Sequence, residues 1–214
     1  MTAPAPSSSM PHSALAAATP DPAPDPQAIL SDALARAMQP PLGAQLWLMV
    51  DASVDPMIPV MLEGFSDQAR CVFDGAARED LSDVAPWLAP LAPETPLWDY
   101  YITEIHGAGC AITLHSDLPF DRLKIQLKRF FRVEAEAAGT YFFKYYLPEH
   151  LITYLPIFSD EQRHGFFRGI HAAYGEEGAT LHRFALGPQG ALLHDRLPMP
   201  PRPDEQVPDP QVPV

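Results

Sequence analysis

The sequence predicts an α/β protein: a single layered domain with a central mixed sheet flanked by helices, a small C-terminal helix and hairpin appendage, and disordered proline-rich ends. Three observations predict it. The chain has 214 residues with 47% hydrophobic content, enough for one good core and crowded for two. From Ala44 onward short apolar strand candidates alternate with helical patterns, as in layered α/β structures. Proline marks the boundaries, with nine of 26 in residues 1–43 and eight in residues 188–214. The implied division is a Pro/Ala/Ser-rich disordered tail over 1–25, a short helix and linker over 26–43, an α/β domain over 44–187 and a largely disordered Pro-rich tail over 188–214. Such tails bury too little apolar area to offset their chain entropy.

The first helix spans Pro26 to Met38, with Asp25 as N-cap, Pro26 in the first turn and Ile29, Leu30, Leu34 and Met38 as its apolar stripe. LWLMVD, Leu46 to Asp51, is the first strand, and its continuous apolar character predicts burial on both faces and a central place in the sheet. Pro56 opens a helix carrying Ile58, Val60, Met61 and Leu62. RCVFDG, Arg70 to Gly75, is the second strand, ended by an Asp-Gly turn. After a possible helical turn, REDLSDVAPWLAPLAPETP becomes extended and proline-interrupted, which predicts an edge segment or covering loop. TPLWDYYITEIHG is a helix capped by Thr95, with Leu97, Trp98, Tyr101, Ile102 and Ile105 turned toward the sheet. GCAITLHS, Gly109 to Ser116, is the third strand. A basic helix follows from Pro119 to Phe131, then an aromatic-rich strand from Thr140 to Tyr146. Short helices follow over Pro148 to Tyr154 and Asp160 to Phe167, the second capped by Ser159. ATLHRFALG and ALLHD form a hairpin across Gly187 to Gly190.

Charge excludes several functions. The formal net charge of −13 disfavours nucleic acid and anionic membranes, both of which require a broad basic footprint. Cys71 and Cys110 lie in apolar runs and read as buried free thiols, fitting a reducing cytoplasm. With no cation before Arg36 and no long apolar run, the chain reads as soluble and unexported. An enzymatic alternative places Asp51, Asp74 and Asp117, each following a strand, around a metal as a small hydrolase or phosphotransferase. The companion signatures are missing: no GxxxxGK[ST], GxGxxG, GxSxG or HExxH occurs. The eight histidines, among them His106, His115, His150 and His164, lack zinc-ligand spacing, and no cofactor is implied.

The most informative segment is FDRLKIQLKRFFRVEAEAAGTYFFKYYLPEHLITY, Phe120 to Tyr154. Six of the chain's 14 Lys and Arg residues fall between Arg122 and Lys144. At helical spacing Phe120, Leu123, Leu127, Phe130 and Phe131 share one face, while Arg122, Lys124, Lys128, Arg129 and Arg132 occupy the other side. Of the aromatic cluster Tyr141, Phe142, Phe143, Tyr145 and Tyr146, alternate members fill the core and the rest face outward with Lys144. Candidate partner-binding residues are therefore Arg122, Lys124, Lys128, Arg129, Arg132, Lys144 and Tyr146, because amphipathic aromatics and Arg dominate interface energetics.

The succession LWLMVDASVDP, RCVFDG, DLSDVAPWLAPL, GAGCAITLHSD, FDRLKIQLKRFFRV and GTYFFKYYLPEHLITYLP resembles, over about Leu46 to Gly169, the type VI secretion effector-adaptor family catalogued as domain of unknown function 4123. The resemblance implies a chaperone-like, non-enzymatic adaptor in the bacterial cytoplasm that binds a particular secreted toxic effector and helps load it onto the VgrG spike. LKRFFRV matches the family's helix ending in a basic pair and a following Arg, here Arg129 and Arg132. Where relatives usually carry Arg, Asp and Arg, this chain has Lys144, Leu147 and Glu149.

Overall fold

The computed structural model describes residues 25–135 and 139–203. The order expected to be absent from residues 1–24 and from 204 onward therefore falls outside the described residues. The centre is β1 (Gln45–Asp51), from Leu46 onward buried throughout. Leu46, Leu48 and Val50 enter one hydrophobic cluster, while Trp47 and Met49 enter a second on the opposite face. Successive strand side chains point to opposite faces, so a continuous apolar run demands helices on both sides. β1 pairs with β3 (Pro86–Leu91) and β4 (Ala111–Ser116), Met49 lying opposite Leu88 and Ile112. With β2 (Arg70–Cys71), β7 (Ile170–Glu177), β8 (Thr180–Leu186) and β9 (Leu192–Pro198) the sheet has seven strands in the order β2-β3-β1-β4-β7-β8-β9.

The expected α/β layering holds, with a finer correction: the sheet is open and antiparallel at every pairing rather than mixed. The β1-to-β2 crossover does make those strands parallel, but β3 inserts between them. The proline-interrupted segment is thus β3, an interior strand and not an edge. Pro86 O accepts from Val72 N, whereas Ala85 O accepts from Ala52 N, so even-numbered positions of β3 turn their backbone toward β2. β2 has only two residues, and the donors missing at Pro86 and Pro90 face a ladder that is barely present. Sequence periodicity assigns no element to β7, where Ala172, Ala173 and Gly175 dilute the apolar signal. A Cβ at Gly175 would meet Pro148, Leu151 and Ile152 at 3.4–3.5 Å, which lets a helix lie close. The β8–β9 hairpin forms as expected, carrying the sheet to Pro198 and moving the tail boundary beyond 188.

Against one face pack α1 (Pro26–Ala37), α2 (Met57–Phe65) and α4 (Pro96–Tyr100), which continues as a π-helical turn Tyr101–Ile105. Asp25 and Thr95 cap α1 and α4 as expected. Leu30, Leu34 and Met38 are buried, but Ile29 is exposed. Against the other face pack α5 (Phe120–Lys128), α6 (Pro148–Tyr154) and α7 (Asp160–Phe166), the last closed by a Ser159–Gln162 capping box. α3 (Gly75–Leu81) contributes no buried residue. Cys71 and Cys110 are free and buried, and burial pushes the Cys110 thiol up to about 11. No described helix is long and apolar enough to cross a membrane.

Desolvation disfavours the charged form of three histidines, His115 and His182 in the interior and His194 exposed on β9 beside His182. His115 Nε2 lies 2.8 Å from Met38 O, and His182 Nδ1 lies 2.9 Å from His194 Nε2. Desolvation lowers all three pKa values, with His194 also disfavouring charge on His182. Such groups are neutral in both states above the unfolded value of about 6.5, and they oppose folding progressively as pH falls through it, because the unfolded chain then binds more protons. The urea midpoint should therefore drop between pH 7.5 and about 5.5, with a shallower slope in His194→Asn. Relief of negative charge alone would give the opposite trend, so a midpoint that rises over this interval contradicts the assignment.

Candidate docking surface

α5 is anchored by Leu123 and Leu127, both fully buried, and by Gln126, whose amide donates to Phe166 O at 3.2 Å. Tyr145 fixes its end by donating its hydroxyl to Leu127 O at 2.9 Å. These contacts set the helix rotation, leaving Arg122, Ile125 and Arg129 exposed at i, i+3 and i+7 on the outer stripe, with Arg132 continuing it. The expected core positions Phe120 and Phe130 are half-buried, while Phe131 is buried.

The six cations divide by residue type. Lys124 and Lys128 both pair with Asp74, the N-cap residue of α3, Lys128 Nζ at 2.6 Å. Hydrogen bonds from Lys124, then Lys128, hold the Asp74 carboxyl below its ordinary value. Lys144 Nζ lies 2.8 Å from Asp51 Oδ2, and the Asp51 side chain is only 2% exposed. Asp51 Oδ1 also accepts from Ser53 N at 3.0 Å. Arg122, Arg129 and Arg132 are exposed and have no ion pair among the described residues. The three lysines thus make ion pairs within the chain, and the three arginines make none among the described residues. Lys124, Lys128 and Lys144, expected as contact residues, are therefore already engaged by carboxylates of the chain itself. Tyr146 requires a second correction: it is buried, its hydroxyl pKa pushed up by desolvation and then by the Asp51 carboxylate.

After α5 the chain forms a separate two-stranded hairpin of β5 (Arg132–Ala135) and β6 (Gly139–Phe142), with Arg132 opposite Phe142. The aromatic run expected as one strand to Tyr146 ends at Phe142. Beyond it, Phe143 N donates to Phe131 O at 2.7 Å and the backbone turns, so burial departs from alternation. Tyr141 and Phe142 are exposed together, the latter 49%, while Tyr145 and Tyr146 are buried together. Phe142 is the shared wall of two grooves. One, about 540 Å³, is lined by Phe73, Asp74, Lys128, Arg129 and Arg132; the other, about 420 Å³, by Phe143, His150, Tyr154 and Ile157. Ile157 is 74% exposed. Aromatic and aliphatic anchors between arginines that have no ion pair among the described residues fit a protein interface. Ile125, Tyr154 and Ile157 escaped the sequence argument; the i, i+3 spacing of Arg122 and Ile125 is the signal that could have found the first.

Antiparallel topology decides the carboxylate question. β1 and β4 run in opposite directions, so Asp51 and Asp117 follow their strands at opposite ends of the sheet. Asp74 is engaged by its lysines, and Asp117 Oδ2 lies 3.6 Å from His171 Nε2. The three acids do not converge, and His106 and His115 likewise flank β4 at its two ends. Among the described residues no group of three or more His, Cys, Asp or Glu side chains is placed to hold a metal ion.

The protein-family comparison matches residues 46–165, over half of the chain, to the family described as Domain of unknown function (DUF4123), and the chain belongs to that family. No curated protein and no solved structure gives a significant match. The matched region spans β1 to α7 and includes both the arginine stripe and the hairpin.

Removing Lys144 would strand a buried carboxylate. Lys144→Ala should lower unfolding free energy by about 2 kcal/mol, whereas Arg129→Ala should change it by less than about 0.5 kcal/mol. Urea denaturation of both variants checks this, and equal effects would contradict the division between lysines and arginines.

Proposed function

We propose that this protein is a non-enzymatic adaptor of the bacterial cytoplasm, which binds a secreted toxic effector of a type VI secretion system and helps bring it to the VgrG spike. The observation that carries this reading is the exposed arginine and aromatic surface of α5 and the β5–β6 hairpin, standing on an otherwise acidic protein. Membership of the DUF4123 family supports it, because the resemblance of the sequence motifs to that family implies an effector adaptor. The separation of Asp51, Asp74 and Asp117 removes the convergence on which the enzymatic alternative rested.

The chemistry fits a protein partner. Arg122, Arg129 and Arg132 keep their donors for carboxylates, which guanidinium engages bidentately. Phe142, Tyr154 and Ile157 supply apolar area that becomes buried only on association. An effector or spike segment carrying Asp or Glu beside large apolar residues is the complement of this surface.

Tagged full-length protein recovered from its own bacterium should bring down an effector, VgrG or both. Arg129→Glu with Arg132→Glu should weaken one of these complexes on the order of tenfold, and raising salt from about 50 to about 500 mM should weaken the wild-type complex as well. Recovery of neither partner, or a complex indifferent to both perturbations, would overturn the proposal.

A further inference from the structure

The face opposite the arginine surface carries a cleft of about 790 Å³ between α2 and the α4–π turn. Its α2 wall is Met57, Met61 and Phe65, and Tyr100 on α4 closes on Phe65 with ring centroids 5.6 Å apart. Met57 is 51% exposed, and the exposed Val54 extends the apolar rim beside it. This helix therefore turns apolar side chains outward as well as inward, which a solvated helix does not require. Two methionines at the opening give a wall that can repack around different side chains.

The charges around the cleft have one sign. Asp55, Asp99 and Glu104 line it, and no Lys, Arg or His does. The surrounding sequence follows the same rule: between Arg36 and Arg122 the only Lys or Arg residues are Arg70 and Arg78. Burial raises the Tyr100 hydroxyl pKa, and Asp55 and Glu104 raise it further, as carboxylates focused on a partly dry space do. The floor is also irregular, because α4 passes into a π-helical turn at Tyr101, a departure from the α-helix found often at functional sites.

From the open apolar wall and the single sign of its rim, we propose that this cleft receives a basic amphipathic helix of a partner protein. Apolar residues at i, i+3, i+4 and i+7 of that helix seat against Met57, Met61 and Phe65, and its Lys or Arg residues meet Asp55, Asp99 and Glu104. α1 supplies the precedent on the same face: it packs on α4 with Ser31 Oγ accepting from Trp98 Nε1 at 2.8 Å. The chain's own residues 1–24 contain no Lys or Arg and lack the complementary charge. The inference rests on the adaptor reading only for why a second partner surface exists. The two surfaces then lie on opposite faces of one sheet with opposite charge, so two partners can be held without competing.

The test uses the full chain and a fluorescein-labelled synthetic amphipathic helix of Leu and Lys, beside a counterpart with Glu in place of Lys. By anisotropy the Lys helix should bind and the Glu helix should not, and Asp99→Lys with Glu104→Lys should weaken binding roughly tenfold. Arg129→Glu with Arg132→Glu should leave this affinity unchanged, which separates failure here from failure of the adaptor reading. With the methionine methyls labelled, the Lys helix should shift Met57 and Met61 but not Met49, which is buried on the other side of the sheet. Equal binding of both helices, indifference to the charge reversal, or shifts confined to other methionines would overturn the proposal. So would a clear gain in affinity on deleting residues 1–24, since the cleft would then be covered by the chain itself.

Discussion

The pairing of Lys144 with the buried carboxylate of Asp51 joins the two halves of this protein. Asp51 ends the central strand, with neighbours on both sides and almost no solvent. A carboxylate in that position needs donors, and it has two, the Ser53 amide and the Lys144 ammonium. Lys144 follows directly on the hairpin and precedes α6, with its own carbonyl 3.1 Å from His150 Nδ1. One contact thereby ties the hairpin layer to the end of β1. Asp74 repeats the device at α3, drawing Lys124 and Lys128 to one side of α5. What remains outward on α5 is arginine. The partition suits the side chains, since ammonium is a compact point charge suited to one carboxylate, whereas the planar guanidinium is the better group for recognition across an interface.

Antiparallel topology then sets where the strand-following acids lie. In a parallel sheet the strand-following acids would share one edge, where open α/β sheets bind ligands. Here the reversal of β4 against β1 sends Asp51 and Asp117 to opposite ends, and each acid finds a local partner. The same sheet separates its helices into two layers, α1, α2 and α4 on one face and α5, α6 and α7 on the other. Of the nine Lys and Arg residues from Arg36 to Lys144, six lie between Arg122 and Lys144, so the cations concentrate on the side of the second layer.

Much of this was legible in the sequence. The both-faces-apolar pattern of LWLMVD placed β1 at the centre, and the caps at Asp25, Thr95 and Ser159 began their helices where expected. What escaped depended on distant neighbours. β3 reads as a proline-broken loop because nothing local reveals that Pro86 and Pro90 face a two-residue strand. β7 has a weak apolar signal because Gly175 answers to the closeness of α6, a constraint set by residues more than twenty positions earlier. At the site, the amphipathic pattern of α5 showed which cations lie outside the core, but not which would find carboxylates. Lys124 and Arg129 look alike in sequence, and only the placement of Asp74 separates them. Tyr146 was assigned outward by alternation, which fails once β6 ends at Phe142 and the chain turns.

The central claim is that a partner docks on the arginine stripe and the aromatic hairpin while the lysine contacts stay internal. Amide hydrogen exchange on the full chain, free and in complex with its recovered partner, tests this most directly. Slowed exchange is expected over Arg129–Arg132 and Tyr141–Ile157 in the complex, with α1 on the opposite face of the sheet unchanged. A complex that leaves both segments exchanging as in the free protein, and protects another surface alone, would contradict the account.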